Sequence, residues 1–186
     1  MSKIQKLILD ATCASRSIWF NKNHPNALYM DIRKEILTGI WKNGGGGQSE
    51  RVICVDPDVI ASFTDMPFDD ETFYMVVWDP PHLIKIGDTA WMKNKYGRLP
   101  DDWHNMIHDG FNECIRVLKP YGTLIFKWSD IQITTRDVIK AIGQEPLFVH
   151  RSGKKMNTHW MCYMKIPKEY EQMDFTTMMK KQENAQ

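Results

Sequence analysis

Asp79, Pro80, Pro81 and His82 sit inside the stretch VVWDPPHL, Val76–Leu83. An apolar run ends there in a carboxylate, two proline rings and an imidazole. Neither proline has an N–H to donate, so a sheet ladder stops at Asp79, and both rings hold φ at about −65° and stiffen the corner. The result is a strong hydrogen-bond acceptor fixed at the end of a strand, next to a histidine that ordinarily titrates near neutral pH. A plain tight turn would use the same residues. Three further carboxylates, Asp10, Asp31 and Asp65, lie at or just past the ends of other predicted elements. A lone aspartate after a strand serves as a cap or turn. Four on one rim point to a site, because open α/β sheets bind ligands beyond the carboxyl ends of their strands.

The elements that carry these residues read as follows. KLILDA (Lys6–Ala11) is a short buried strand running into the polar turn TCASRS, and SIWFNKN starts a helix broken before Pro25. ALYMDI (Ala27–Ile32), RVICVDP (Arg51–Pro57) and YMVVWD (Tyr74–Asp79) are further strands, the last apolar enough for a central parallel position. NGGGGQSE (Asn43–Glu50) is a flexible loop; with no GKS or GKT after it, a phosphate cradle is not indicated. Residues 84–100 form a loop, and Asp101–Lys119 has helical spacing with Trp103, Ile107, Phe111 and Cys114 on one face. TLIFKW is a fifth strand, TTRDVIKAIG a helix stopped by Gly143, and EPLFVHR with THWMCYMKI an antiparallel pair. Alternating strands and helices predict a three-layer α/β/α Rossmann-like sandwich, a mostly parallel seven-stranded sheet with an antiparallel C-terminal hairpin. Residues 1–168 form this domain and 169–186 a polar, flexible tail.

The 186 residues suffice for one domain with a single core. A formal charge of +1 exerts no global pull on nucleic acid or membrane and leaves only local basic patches to consider. No apolar run reaches bilayer length, and MSKIQKLILDA lacks a signal-peptide plan, so no membrane partner and a cytoplasmic location are expected. Cys13, Cys54, Cys114 and Cys162 are scattered, with no Cys-x-x-Cys pair and no His cluster, which predicts reduced thiols and no metal.

In this order the motifs resemble the class I S-adenosylmethionine-dependent methyltransferases, over roughly residues 7–166. LDATCASRS resembles their first cofactor motif, which implies that Asp10, Ala11, Thr12, Cys13 and Ala14 turn under the methionine half of S-adenosylmethionine. MDI resembles the second strand end, placing Asp31 and Ile32 at the ribose. Within SFTDMPFDDETFYMVVWDPPH, Asp65 and Met66 resemble the pair that reads the adenine, by carboxylate and backbone N–H. Phe63 or Phe68 would pack on that ring or in the core. Asp-Pro-Pro followed by a ring resembles the signature of members that methylate a planar exocyclic nitrogen, in a nucleobase or a glutamine amide. The chain as a whole is similar to small phage and prophage methyltransferases. The first motif departs from the glycine-rich family pattern. Ala14 is the nearest substitute, and Arg16 has two places open to it, the cofactor carboxylate or solvent.

The resemblance implies a transfer chemistry. A ring amine is a poor nucleophile, because its lone pair is delocalised. Asp79 would accept one amine N–H and the Pro80 carbonyl the other, restoring lone-pair density and stabilising the growing positive charge. Asp79 thus also adjoins the cofactor, and the flat ring of His82 would stack on a base. Lys127 and Trp128 end the fifth strand beside this corner, with Trp128 either stacking or shaping the wall. The loop containing Trp91, Lys93, Lys95, Tyr96 and Arg98, and the basic HRSGKK, suit phosphate and base contacts. The expected substrate is a nucleobase in DNA or RNA, adenine first, with single strands easiest to accommodate. A glutamine amide, a small molecule, or a binding module without turnover are the alternatives.

Overall fold

The computed structural model describes residues 6–42, 47–88 and 90–167. The tail 169–186 and positions 43–46 of the glycine loop lie outside the described residues. Seven strands form the main sheet in the order β5-β2-β1-β6-β7-β9-β8: β1 Ile8–Asp10, β2 Ala27–Asp31, β5 Val59–Ile60, β6 Phe73–Trp78, β7 Leu118–Ser129, β8 Phe148–Ser152 and β9 Thr158–Met164. β1 lies parallel to both β2 and β6, β2 to β5, and β6 to β7. β9 runs antiparallel to β7 and β8. The predicted mostly parallel sheet with an antiparallel C-terminal pair is therefore present.

Alternation along the strands builds two unequal faces. Leu9, Met30, Val76, Trp78, Leu124, Phe126 and Trp128 point one way, into the main core. There they meet helices α2 (Trp103–Val117) and α3 (Thr135–Ile142) through Ile107, Phe111, Cys114, Val138 and Ile142. Trp78 stacks on Phe126 with ring centroids 4.5 Å apart. Gly110 of α2 lies against this pair's neighbourhood so closely that a Cβ would come 2.5 Å from the Phe63 ring and 2.8 Å from Trp78. Thr134 caps α3 by accepting the Asp137 N–H, and Gly143 ends it at φ 78°. The other face carries a small cluster in which Cys13, Ala27 and Tyr29 pack with Ile8 and Trp19. Its cover is the turn segment 11–26 rather than a helix.

Three expectations change here. The segment SIWFNKN does not start a helix; residues 17–25 form successive turns, because the Trp19 ring is drawn back onto Asp10. The strand predicted at Arg51–Pro57 exists as β4 (Gln48–Val55), but outside the main sheet. It pairs antiparallel with an unpredicted β3 (Glu35–Lys42), from Glu35 opposite Val55 to Lys42 opposite Gln48. The loop at 84–100 contains a short helix, α1 (Trp91–Tyr96).

Candidate active site

β1 ends at Asp10, and the chain turns at once. Asp10 is buried; one oxygen accepts the Trp19 Nε1–H at 2.6 Å and the other the Thr12 N–H at 3.2 Å. Burial nevertheless pushes its carboxyl up to about 7, with the nearby Asp79 and Asp31 charges acting in the same direction. Ala14 and Arg16 adopt φ of 43° and 52°. These are the left-handed positions that a glycine-rich turn would give to glycine, and Ala14 offsets its strain by donating its N–H to Asp31 Oδ2 at 2.9 Å. Arg16 takes neither expected place. It donates to the carbonyls of Lys22 and Asp56 and to Asn23 Oδ1, and lies 3.8 Å over the Tyr29 ring, pinning the turn segment to the sheet.

Asp31, at the end of β2, is also buried, and this raises its carboxyl pKa from its ordinary value against the opposing pull of the Ala14 N–H and the Arg33 charge. Arg33 follows it and reaches across to α1. Its guanidinium donates to the carbonyls of Asn94 and Lys95, both at 2.7 Å, and to Glu35 at 2.6 Å. The chain then passes over the rim as a strap, residues 95–99. At Gly97, φ is 82° and a Cβ would lie 3.3 Å from Pro81, so only glycine fits without strain. The Leu99 N–H donates to the Leu83 carbonyl at 3.0 Å and fastens the far end.

β6 delivers Asp79. Its backbone N–H donates to Thr12 Oγ1 at 2.8 Å, locking the Asp-Pro-Pro corner to the β1 turn. Its carboxylate Oδ2 pairs with Lys127 Nζ from β7, and both side chains are largely shielded from solvent. The His82 ring is 6% exposed and packs near Tyr96 and Trp128, with centroids 6.0 and 6.3 Å away. Burial lowers its pKa against the opposing pull of the Asp79 charge, and its Nε2 has no partner among the described residues.

Between these elements lies a cavity of about 200 Å³. Of the predicted residues, Ala11, Thr12, Ala14, Asp31, Ile32, Asp79 and Pro81 form its wall, together with Phe63, Met106, Arg33 and the strap residues Lys95–Arg98. Asp10, Cys13, Asp65, Met66, Pro80 and His82 do not line it. Asp10 and Cys13 instead support the turn from below, the Cys13 N–H donating to the Met30 carbonyl at 2.8 Å.

No protein-family model matches the sequence, and no curated protein matches it. Solved structures match over most of the chain. A Pyrococcus horikoshii protein superposes with a TM-score of 0.52 at 12% identity, over 84% of this chain and 80% of its own. The N-methyltransferase NodS from Bradyrhizobium japonicum gives 0.51 at 9%, over 87% and 86%. The 16S rRNA (adenine(1408)-N(1))-methyltransferase of Catenulisporales acidiphilia, with cosubstrate SAM, gives 0.50 at 11%, over 88% and 86%. The fold is the class I methyltransferase fold. At such identities the likeness is one of fold and leaves substrate to the site itself.

Within this methyltransferase fold the cavity sits where the strand order reverses, with β2 and β5 on one side of β1 and β6 and β7 on the other. Two predicted contacts are displaced from it. Asp65 is exposed and belongs to a tight turn bridged to Ser62, and the Met66 N–H donates to Glu113 Oε2 at 2.8 Å while its side chain enters the core. Trp128 is fully buried, its Nε1 donating to the Ile133 carbonyl, so it shapes the core and not the cavity. Sequence reasoning missed Arg33 and the role of Lys127. Both depend on pairings across 48 or more residues. The aromatic and basic loop at 91–98 was the one legible signal for the strap.

Proposed function

We propose that this chain is an S-adenosylmethionine-dependent methyltransferase that methylates an exocyclic amino nitrogen of a nucleobase, adenine foremost, in DNA or RNA. The chemistry of the cavity wall suits the cofactor. Asp31 offers carboxylate oxygens to a ribose diol, Ile32, Phe63 and Met106 offer apolar surface to a purine, and Ala11, Thr12 and Ala14 keep the methionine side narrow. When bound, S-adenosylmethionine supplies an electrophilic methyl group on sulfur. The chain supplies orientation and charge. Lys127 holds Asp79 Oδ2 and Thr12 holds its backbone, so the carboxylate is preset to take an N–H of the acceptor amine. That N–H donation enriches the nitrogen lone pair and lets Asp79 stabilise the charge that grows on it. His82 sits behind the corner, packed near Tyr96 and Trp128, and Tyr96 in the strap takes over as the ring on the cavity wall.

The observation that carries the proposal is that Asp79 opens into the same cavity as Asp31 and the 11–14 turn. Strap residues Lys95 and Arg98 on that cavity favour a substrate bearing phosphates. Labelled cofactor offered with DNA, total RNA and protein tests the reading. Transfer to nucleic acid supports it, and label in protein alone overturns the substrate class. Asp79→Ala is expected to lose turnover by at least about 10²-fold while retaining calorimetric binding of S-adenosylhomocysteine.

A further inference from the structure

We propose that Lys127 is itself a methyl acceptor, so that the chain methylates its own Nζ. The proposal rests on the Asp79-centred reading above. Along β7, Phe126 and Trp128 point into the main core, and Lys127 between them points to the opposite face, where it stands across from Trp160 of β9. There its ammonium pairs with Asp79 Oδ2. The Tyr96 ring centroid lies 5.6 Å from Nζ and the Trp160 centroid 5.8 Å. A nitrogen that donates an N–H to Asp79, next to the cavity holding the methyl donor, is what an acceptor amine must be. Lys127 Nζ meets this condition at Oδ2, leaving Oδ1 for the amine of the nucleobase. The two aromatic faces favour a cation, including the methylated ammonium that the reaction leaves behind.

The step balances. A proton passes from Nζ to the Asp79 carboxylate along the existing hydrogen bond, and the freed lone pair bonds to the methyl carbon of the sulfonium cosubstrate. The carbon–sulfur bond breaks with its electron pair left on sulfur as a neutral thioether, and Asp79 returns its proton to water. One methyl group enters the side chain and one proton leaves the protein. Lys95 lines the cavity wall itself, whereas Lys127 adjoins it through Asp79; the Lys95 ammonium lies over Tyr96, 4.7 Å from the ring centroid, and is not paired to Asp79 among the described contacts. It serves as the internal comparison.

The test incubates the full chain with methyl-labelled S-adenosylmethionine and no other acceptor, then maps the label by mass spectrometry of peptides. Calorimetry with S-adenosylhomocysteine is run in parallel. The expected result is one labelled methyl on the peptide holding Lys127, lost in Lys127→Arg and in Asp79→Asn. Cofactor binding with Lys127 unlabelled overturns the proposal and leaves the methyltransferase reading standing. Absence of cofactor binding overturns both. Label on Lys95 instead, or on Lys127 equally in Asp79→Asn, also overturns it. A second readout needs no cofactor: reductive alkylation with formaldehyde and cyanoborohydride. Lys127 is expected to react faster in Asp79→Asn than in the wild type, with Lys95 unchanged; equal rates at Lys127 would show that Nζ does not sit on Asp79.

Discussion

Single residues in this site are set by burial more than by type. Asp10 was read as a cofactor contact, and it is a buried carboxylate that fastens a turn through Trp19 and Thr12. Its pH behaviour follows from that placement. Folding raises its pKa from 3.8 to about 7, so the folded state holds a proton that the unfolded state has released. The stabilisation is complete below about pH 4 and is lost as pH rises toward and through 7, by an amount on the order of a few kcal/mol. Asp10→Asn cannot ionise. Its amide NH₂ must face one of two N–H donors, so the variant is less stable at pH 5, but its urea midpoint is expected to fall less than that of the wild type between pH 5 and pH 8. Parallel pH profiles for the two proteins would remove Asp10 as the source of the loss. The same rule explains what was legible at this scale. Carboxylates at strand ends announce themselves in sequence. Whether a carboxylate faces the cavity, as Asp31 and Asp79 do, or a tryptophan N–H, as Asp10 does, depends on a side chain that folds back from outside the motif.

Elements position the site through two devices, the close seat of α2 and the strap after α1. Gly110 lets α2 approach the Phe63 and Trp78 rings. Gly110→Ala gains helix propensity of about 1 kcal/mol, but its Cβ would sit 2.5 Å from a ring that is itself packed. The net expectation is a loss of about 1–2 kcal/mol in urea unfolding, with weaker cofactor binding because Phe63 is part of the cavity wall. The strap depends on the Arg33 fork. Arg33→Lys keeps the charge and loses the planar pair of donors to Asn94 and Lys95. Backbone amides of residues 94–98 are expected to exchange faster in this variant by hydrogen-exchange mass spectrometry, with α3 unchanged; identical exchange would show that the strap is held elsewhere. The core strands were legible because β1, β2, β6 and β7 are apolar runs bounded by polar turns. α1 was not, since it has no buried residue and so no apolar stripe. The β3–β4 hairpin escaped because Glu35–Lys42 mixes Thr38 and Gly39 into its apolar positions, and β5 is only two residues long.

At the scale of the whole molecule the two faces of the sheet do different work. The α2–α3 face holds the large core, whereas the turn segment 11–26 covers the other face with a small cluster and the Arg16 pins. The proposed cofactor cavity lies at the junction of that thinner cover, the end of β2 and the strap, three pieces joined by Ala14–Asp31 and the Arg33 contacts, with Thr12–Asp79 tying the cover to the end of β6. A ligand that touches all three must couple them. S-adenosylhomocysteine at about a hundredfold over its dissociation constant is expected to add about 2.7 kcal/mol to the unfolding free energy, a rise of roughly 5–10 °C in midpoint for a chain of this size. Hydrogen exchange should slow together at residues 11–16 and 94–98, which are far apart in sequence and both contribute to the cavity wall. Asp31→Ala removes both the proposed ribose acceptor and the anchor of the Ala14 N–H, so at the same ligand concentration the midpoint shift should shrink and the added exchange protection should fall in both segments at once. Protection confined to the 11–16 turn would mean that the ligand binds without the strap, and no thermal shift at millimolar ligand would rule this cavity out as the cofactor site.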